Sequence, residues 1–329
     1  MIKKVSIICA LVVIVFFCLP KKEAQSWGFY GHKRINRMAV FTLPPEMVSF
    51  YKQHIEFVTN HAVDPDKRRY GVEGEAARHY IDIDHYGVHA FDSVPKLWKQ
   101  AVAKFTEDTL MAYGIVPWQI EKHYYKLMNA FKDGNLDRIL QYSSDLGHYV
   151  ADAHVPLHTT ENYNGQMTGQ RGIHGFWESR IPELKAEEYD YFVGRAHYID
   201  SPIKMAWGVV YASNQAVDSV LKFEAMLNKD FPTDRKYGYE NRGSMMTKVY
   251  SQEYTNRYDL MIKGQVERRM REAITMVGSI WYTAWVNAGK PNLEKIGTKD
   301  ISDSLKIELQ KEEQLYLQQK IKNAKGHDE

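Results

Sequence analysis

The stretch DLGHYVADAHVPLHTT (residues 145–160) decides how the rest of this 329-residue chain is interpreted. Its first half is the end of a segment with helical periodicity, and a proline, Pro156, follows within the stretch. On a helix of 3.6 residues per turn, His148 and Asp152 are four residues apart and therefore share one face. Pro156 ends the helix, so His158 follows where the chain can turn back towards that face. Imidazole and carboxylate groups are zinc ligands, and the pattern indicates part of a metal site.

A second pair with the same spacing lies downstream. In GIHGFWES, His174 and Glu178 are again four residues apart on a predicted helix. One such pair alone usually lies on a solvated helix face. Two pairs joined by the isolated His158 are much less common, and two ligands one turn apart restrict the geometry before any metal arrives.

Helical periodicity dominates the whole chain, and runs of alternating strand character are almost absent. The sequence therefore predicts an all-α fold made of a single multi-helix domain. The predicted helices are 33–41, 45–62, 94–113, 117–132, 136–153, 172–181, 203–227 and two or more between 242 and 288. The predicted domain spans residues 27–290. The charged, Gln-rich segment 291–329 is predicted to be a helical tail, appended to the domain rather than part of an active site.

The N-terminus has the pattern of a secretory signal peptide over residues 1–26. Two lysines precede an apolar run over residues 5–19, and Ala24-Gln25-Ser26 provides a cleavage site. A retained membrane anchor is the alternative, but the run is short for a membrane span. We therefore expect a secreted or periplasmic protein with no stable membrane span after cleavage. Both cysteines, Cys9 and Cys18, lie in this segment, so the mature chain is expected to contain no thiol.

The charge balance gives no indication of a broadly basic surface. The first 26 residues carry four lysines and one glutamate, which leaves 39 basic and 40 acidic residues in the remainder. A surface that coats nucleic acid without selectivity is therefore not expected, although a local basic patch is compatible with this balance.

Cleavage after Ser26 would expose WGFYGH, with a free amine on Trp27 and an imidazole at His32. An unprotonated amine and the carbonyl oxygen of the same residue can chelate one metal ion. Taken alone, however, Trp27 is more simply interpreted as a core aromatic and His32 as a surface residue of an early helix.

HYVADAHVPLHTTEN (residues 148–162) closely resembles the signature of the zinc-dependent phospholipase C family, whose superfamily includes the single-strand-specific three-zinc nucleases. Both groups begin, after signal removal, with a tryptophan whose amine and carbonyl bind zinc. The similarity runs from Trp27 to about Gly289. It implies an all-α domain with a trinuclear zinc cleft. The nine ligands that it implies are Trp27, His32, Asp64, His79, His148, Asp152, His158, His174 and Glu178.

The resemblance also implies how three zinc ions share these ligands. One ion is held by Asp64, His79, His148 and Asp152, a second by His158, His174 and Glu178, and a third by Trp27 and His32 with Asp152 as a bridge. Asp66 is the alternative to Asp64. His61 and His154 are interpreted as structural or exposed, and Asp82 or Asp84 as partners that orient ligand histidines.

This chemistry predicts a secreted zinc-dependent phosphoric-diester hydrolase that resembles phospholipase C. Clustered zinc ions lower the pKa of bound water and offset the charge on phosphoryl oxygens, so in-line attack by a metal-activated water is expected. By the same resemblance, Asp64 is the catalytic candidate, as a general base or as the group that orients this water. The H-E-x-x-H motif of common metalloproteases is absent from the sequence.

The substrate is either a phospholipid headgroup or single-stranded nucleic acid, and no protein partner is predicted. The short gap from His158 to His174 and the use of Glu178 favour a phospholipase, whereas WGFYGH favours the nuclease alternative. Tyr30, Pro65 and Ala76 occupy the positions of the family's choline pocket without matching it.

No substrate-binding residue is assigned. Phe29, Tyr30, Tyr163 and Trp177 are candidates for base stacking, although core packing is the commoner role of such side chains. A third alternative is a non-catalytic helical binding domain stabilised by zinc.

Overall fold

Helices form most of the computed structural model, which describes residues 27–242 and 245–318. The predicted signal peptide lies outside the described residues. In chain order the α-helices are α1 (Trp27–Ala39), α2 (Pro45–Gln53), α3 (Ile55–Asn60), α4 (Asp64–Arg68), α5 (Ala90–Ser93), α6 (Trp98–Phe105), α7 (Glu107–Tyr113), α8 (Val116–Asp133), α9 (Leu136–Ala153), α10 (Ile173–Gly175), α11 (Ile181–Lys185), α12 (Pro202–Asp230), α13 (Gln252–Met261), α14 (Gln265–Asn287), α15 (Leu293–Gly297) and α16 (Asp303–Gln318).

Single helical turns and one hairpin complete the described fold. The 3₁₀ turns are Val40–Thr42, His61–Val63, Ala76–Arg78, Ile83–Tyr86, Pro156–Thr159, Ala186–Glu188 and Thr233–Arg235, and Phe176–Arg180 is a π-turn. Strands β1 (Tyr237–Arg242) and β2 (Met245–Tyr250) pair antiparallel, with Tyr237 opposite Tyr250. The predicted all-α class is confirmed, with this hairpin as an addition that the sequence did not indicate.

Helix α9 is the central helix on which the site is built. It packs against α8, α14 and α1, and every residue from 143 to 153 is buried. The side chain of Asn135 caps its first turn by accepting a hydrogen bond from the Arg138 N–H at 3.1 Å. Pro156 follows shortly after its last residue. Both ends are thus fixed by local chemistry, and a helix buried along its second half can hold polar side chains only where they find partners.

Aromatic packing anchors α9 to the helices around it. Trp281 of α14 stacks on Tyr51 of α2, with ring centroids 4.9 Å apart and planes 9° apart. The Trp281 Nε1–H donates to the Ser143 carbonyl at 3.0 Å, and the Tyr51 hydroxyl lies 2.8 Å from the Ser143 hydroxyl. These buried contacts satisfy the polar atoms of both aromatic side chains and fix the middle of α9 in the core.

Two long predicted helices are each divided in the structure. The segment 45–62 is divided at His54, whose φ of −108° and ψ of 19° leave the helical region. The segment 94–113 is divided at Thr106, which adopts a φ of 70°. The Thr106 hydroxyl then accepts a hydrogen bond from the Thr109 N–H at the start of α7. As a result, the first segment forms the short helices α2 and α3, and the second forms α6 and α7.

The segment after Pro291 contains α15 and α16, and residues 319–329 lie outside the described part. Leu305 of α16 is buried, and α16 packs against the short helix α4. The division into a 27–290 domain and a 291–329 tail stays a prediction. Among the described residues, no helix combines the length and the apolar character that crossing a bilayer requires.

Candidate metal centre

The first group of potential ligands is built on α9 and lies in the interior. The Nδ1 atom of His79 lies 2.9 Å from Asp152 Oδ2 and 3.0 Å from His148 Nε2. His148 Nε2 is in turn 3.1 Å from the same Asp152 oxygen. Because these two residues are one turn apart on α9, the helix fixes their separation, and His79 joins them from the loop after α4.

Asp66 and His32 extend this group on two sides. Asp66 Oδ1 lies 3.6 Å from His148 Nε2 and 3.7 Å from His79 Nδ1. His32 Nε2 lies 3.3 Å from the other oxygen of Asp152, Oδ1. The His32 ring stacks on His148 at 3.9 Å between centroids. Asp152 therefore presents one oxygen to His79 and His148 and the other to His32, which is the arrangement a bridging carboxylate needs.

The second group lies beyond the end of α9. His158 Nε2 and His174 Nε2 are 3.1 Å apart, and Glu178 Oε2 is 3.4 Å and 3.0 Å from them respectively. His158 sits on the turn that begins with Pro156, and Glu178 sits on the π-turn that follows α10. His158 Nδ1 lies 3.6 Å from Asp152 Oδ1, which brings the two groups side by side.

Atoms able to bind metal thus converge in three groups in the described part of the chain, two of which share His148. Within each group they lie within 4.8 Å of one another. The groups are His32–Asp66–His148, His79–His148–Asp152 and His158–His174–Glu178.

Backbone carbonyls orient two of these imidazoles. His148 Nδ1 donates to the Ala62 carbonyl at 2.8 Å, and His158 Nδ1 donates to the His79 carbonyl at 2.8 Å. A carbonyl oxygen can only accept, so each Nδ1 carries the proton. When the ring is neutral, the lone pair is then on Nε2 and points into the cluster. This second hydrogen bond is a common feature of metal-binding histidines.

Of the two aspartates of α4, Asp66 is the one that lies near His79, although the sequence favoured Asp64. Asp64 Oδ2 is hydrogen-bonded to His61 Nδ1 at 2.6 Å, and Asp64 is absent from the three groups of the described residues. The two aspartates are two positions apart on α4, and on a helix this spacing turns their side chains to different faces. The packing of α4 turns the face of Asp66 towards the cluster, and the sequence contains no signal for that rotation.

A buried layer of charged residues backs the cluster, and the sequence analysis did not identify it. Arg68 Nη2 pairs with Asp145 Oδ2 at 2.8 Å, and its Nε is 3.8 Å from Glu75 Oε1. The Tyr149 hydroxyl donates to Glu75, whose Oε1 lies 3.8 Å from His79 Nε2. Asp145 and Tyr149 flank His148 on α9. Buried ion pairs of this kind restrict the helices that carry the candidate ligands.

The charges of the cluster shift the pKa values of its members. Burial lowers the pKa of His148, but the carboxylates of Asp152 and Asp66 outweigh burial and raise it to about 9. Burial likewise opposes a charged His158, but Asp152 and Glu178 raise its pKa to about 9. Burial raises the pKa of Asp152, whereas the neighbouring histidines hold it well below its ordinary value. Without a cation, the cluster thus retains protons that a metal would displace.

Other candidate residues lie outside the three groups. His154 is buried, and its Nδ1 donates to the Val150 carbonyl at 2.7 Å, in line with a structural role. Asp84 accepts hydrogen bonds from the Thr160 hydroxyl and the Glu161 N–H, so it organises the loop after His158 rather than a ligand imidazole. Trp27 begins α1, but its side chain is outside the described part.

Two of the aromatic candidates differ in position. Trp177 is 1% exposed, and its Nε1–H donates to Gln265 Oε1 at 3.1 Å. It is therefore a core residue, and the prediction of a possible stacking role is wrong for it. Tyr163 is half-buried beside the second group, with its ring 6.2 Å from the His174 ring between centroids.

The sequence model of the S1/P1 nuclease family matches residues 27–270. No curated protein matches the chain. The match confirms the superfamily predicted from HYVADAHVPLHTTEN. It supports the nuclease alternative better than the phospholipase-like main prediction.

Proposed function

Because the chain belongs to the S1/P1 nuclease family, we propose that it is a secreted zinc-dependent nuclease that hydrolyses phosphodiester bonds in single-stranded nucleic acid. Members of this family are three-zinc enzymes and are typically secreted. The observation that carries the proposal is the convergence of three histidine–carboxylate groups, with Asp152 Oδ1 lying 3.3 Å from His32 Nε2 and 3.6 Å from His158 Nδ1.

The donor set fits zinc ions. Imidazole nitrogens and carboxylate oxygens are typical zinc ligands, and a backbone carbonyl fixes the Nδ1 proton of His148 and of His158. We propose Asp66, His79, His148 and Asp152 for the first ion, and His158, His174 and Glu178 for the second. For the third ion we propose His32, with Asp152 shared and the amine and carbonyl of Trp27 as the sequence predicts.

Asp66 replaces Asp64 in this assignment, and its state at neutral pH supports the choice. Burial raises the pKa of Asp66, but the charges of His148, His32 and His79 lower it below the ordinary value. The carboxylate is therefore ionised and can bind a cation or accept a proton. Asp64 is already hydrogen-bonded to His61, and we assign it the role of holding the start of α4.

Bound zinc would supply a water of lowered pKa and positive charge for the phosphoryl oxygens. The protein itself contributes the positions of the carboxylates around the metal ions and the water. Asp152 presents one oxygen to His79 and His148 and the other to His32. The side chain of Asp66 is 15% exposed beside the same residues, where it can orient a nucleophilic water and take its proton. Tyr163 is the aromatic residue beside the second group that we propose for stacking on a base.

Substrate assays with matched controls test this proposal. We would assay the mature chain, beginning at Trp27, on single-stranded DNA, single-stranded RNA, duplex DNA and phosphatidylcholine vesicles, with and without a chelator. Cleavage of the single strands that is lost on chelation and restored by zinc is the expected result. Hydrolysis of the vesicles alone would overturn the nuclease in favour of a phospholipase. Bound zinc without any activity would favour the non-catalytic binding domain.

Three variants test the ligand assignment. Asp66→Asn should lower zinc content and activity, with a loss of affinity of at least about 10–100-fold, whereas Asp64→Asn serves as the matched control two positions away. A larger loss in Asp64→Asn would restore the assignment made from the sequence. One extra residue ahead of Trp27 should remove the third ion, and an unchanged zinc stoichiometry would contradict the role of its amine.

A further inference from the structure

The helix that carries Asp66 is too short to hold its own orientation. Helix α4 has five residues, from Asp64 to Arg68. Isolated helices need at least about 12–15 residues to be even marginally stable in water, because nucleation costs more than the first hydrogen bonds return. The direction in which Asp66 points must therefore be set by what packs on α4. The partner of α4 at the C-terminal end of the described chain is α16.

Two adjacent basic residues of α4 each contact an acidic residue of α16. Lys67 Nζ lies 2.7 Å from Glu313 Oε2, and Arg68 Nη1 lies 3.3 Å from Glu312 Oε2. Both basic residues directly follow Asp66. The side chain of Lys67 is 18% exposed and that of Arg68 is 9% exposed. The Arg68–Glu312 pair is mostly buried and is therefore less screened than a surface ion pair, whereas Glu313 is 40% exposed and its pair with Lys67 is more screened. Together the two pairs hold the helix at one rotation.

The chain just after α4 is also held by α16. Tyr70 and Tyr316 meet edge to face, with ring centroids 5.6 Å apart. Gly71 lies so close to Leu315 that an added Cβ would be 2.7 Å from the Leu315 Cβ. Glycine at position 71 is thus needed for α16 to approach this closely. Apolar contact and ion pairs together cover residues 67–71.

Arg68 connects α16 to the ligand-bearing face of α9. Besides Glu312, its guanidinium pairs with Asp145, which lies three residues before His148 on the same helix. Glu308 of α16 makes a further contact with α9, at 3.1 Å from Arg138 Nη1. Helix α16 thus contacts α4 and α9, the two helices that carry ligands proposed for the first ion.

We propose that α16, which lies beyond the family-matched region, positions Asp66 for zinc by holding α4 through Glu312 and Glu313. This inference rests on the assignment of Asp66 to the metal centre. It gives the C-terminal segment a function in the site, whereas the sequence predicted an appendage. Glu312 and Glu313 are positioning residues in this account, because they act through Lys67 and Arg68 and do not touch the ligands themselves.

The test compares two double variants of the mature full-length chain. Glu312→Gln/Glu313→Gln removes both carboxylates that face α4. Asp303→Asn/Lys306→Gln is the matched control, since it removes an exposed ion pair of 2.9 Å from the same helix. Zinc affinity is measured by competition with a chromogenic chelator, and kcat on single-stranded DNA is measured over a range of zinc concentrations.

We expect the half-saturating zinc concentration to rise about tenfold or more in the first variant, with kcat restored at high zinc, while the control stays at the wild-type value. Equal zinc affinity in the two double variants would overturn the proposal. If the first variant does not fold by circular dichroism, the single variant Glu313→Gln decides, because it removes only the carboxylate that lies 2.7 Å from Lys67 Nζ. A folded Glu313→Gln with wild-type zinc affinity would likewise overturn it. A wild-type chain that binds no zinc would contradict the metal centre itself, so the two failures are distinguishable.

Discussion

Substitution of Gly147 by alanine should destabilise the protein and disturb the metal centre together. A Cβ at position 147 would lie 2.0 Å from Asn36 Oδ1, well inside contact distance. Asn36 is fully buried on α1, and its Nδ2 donates to the carbonyls of Val58 and Ser144, each at 3.1 Å. The new methyl group must displace this amide, because the helix backbone of α9 is fixed on its other sides.

The size of the effect follows from three contributions. Overpacking a buried contact costs about 1–3 kcal/mol. Breaking the two hydrogen bonds of Asn36 costs about 1 kcal/mol each. Replacing glycine by alanine within a helix returns about 1 kcal/mol. The free energy of unfolding should therefore fall by about 2–4 kcal/mol, which corresponds to a decrease in Tm of about 3–6 °C for a chain of this size.

The metal centre should respond because His32 precedes Asn36 by one turn on α1, while His148 directly follows Gly147. Displacing α1 from α9 increases the distance of 3.3 Å between His32 Nε2 and Asp152 Oδ1. We expect the zinc ion assigned to His32 to be lost first, as seen by native mass spectrometry.

Thermal unfolding of the single and double variants tests this reasoning. In Gly147→Ala/Asn36→Ala the clash is absent, so the double variant should be more stable than the sum of the two single effects by about 1–2 kcal/mol. A Gly147→Ala variant with wild-type Tm and three bound zinc ions would refute the argument, and so would strict additivity.

Three further predictions follow from the same structure. His148 and His158 have pKa values raised to about 9 in the absence of metal, so zinc binding should release protons. Zinc affinity should therefore rise from pH 6.5 to 9. Over the same range the metal-free fold loses the stability that protonation of the two histidines gives it. Calorimetry in buffers of different ionisation enthalpy would show the release of protons, and its absence would contradict the raised pKa values of the two histidines. Asp145→Asn removes the carboxylate nearest to Arg68 but leaves Glu75 and Glu312 beside it, so it should cost about 1.5–3 kcal/mol in urea unfolding, and a value below about 0.5 kcal/mol would disprove this. Trp177→Phe removes the hydrogen-bond donor to Gln265 Oε1 and should lower stability by about 1–2 kcal/mol, and a changed KM for single-stranded DNA would contradict its placement in the core.

The sequence was most informative where local chemistry determines the structure. The predicted helix 136–153 has the bounds of α9, because its periodicity, the cap at Asn135 and the stop at Pro156 are all local signals. The same signals place His148 and Asp152 on one face near the end of α9 and His158 on the turn that follows it. His174 and Glu178 lie together for the same reason, since one turn of helix separates them.

Where tertiary packing decides, the sequence was less informative. The choice between Asp64 and Asp66 depends on the rotation of a five-residue helix, and that rotation depends on contacts from residues more than 240 positions away. The ion pairs of Glu312 and Glu313 leave no periodic signal. The hairpin of β1 and β2 was missed because YGYENR and MMTKVY do not alternate clearly between apolar and polar residues.

The buried charges explain why the fold needs layers of support around the centre. When no cation lies between them, imidazoles and carboxylates packed this closely either repel groups of like charge or retain protons. The cluster is therefore unfavourable for folding by itself. Contacts that form without metal offset this unfavourable free energy. Carbonyls fix the rings of His148 and His158, and the pair of Arg68 with Asp145 fixes α4 against α9. Zinc then binds to a site whose geometry is already restricted, so little of its binding free energy is needed to order the chain. Residues that hold this geometry should therefore affect zinc affinity more strongly than they affect the rate at saturating zinc.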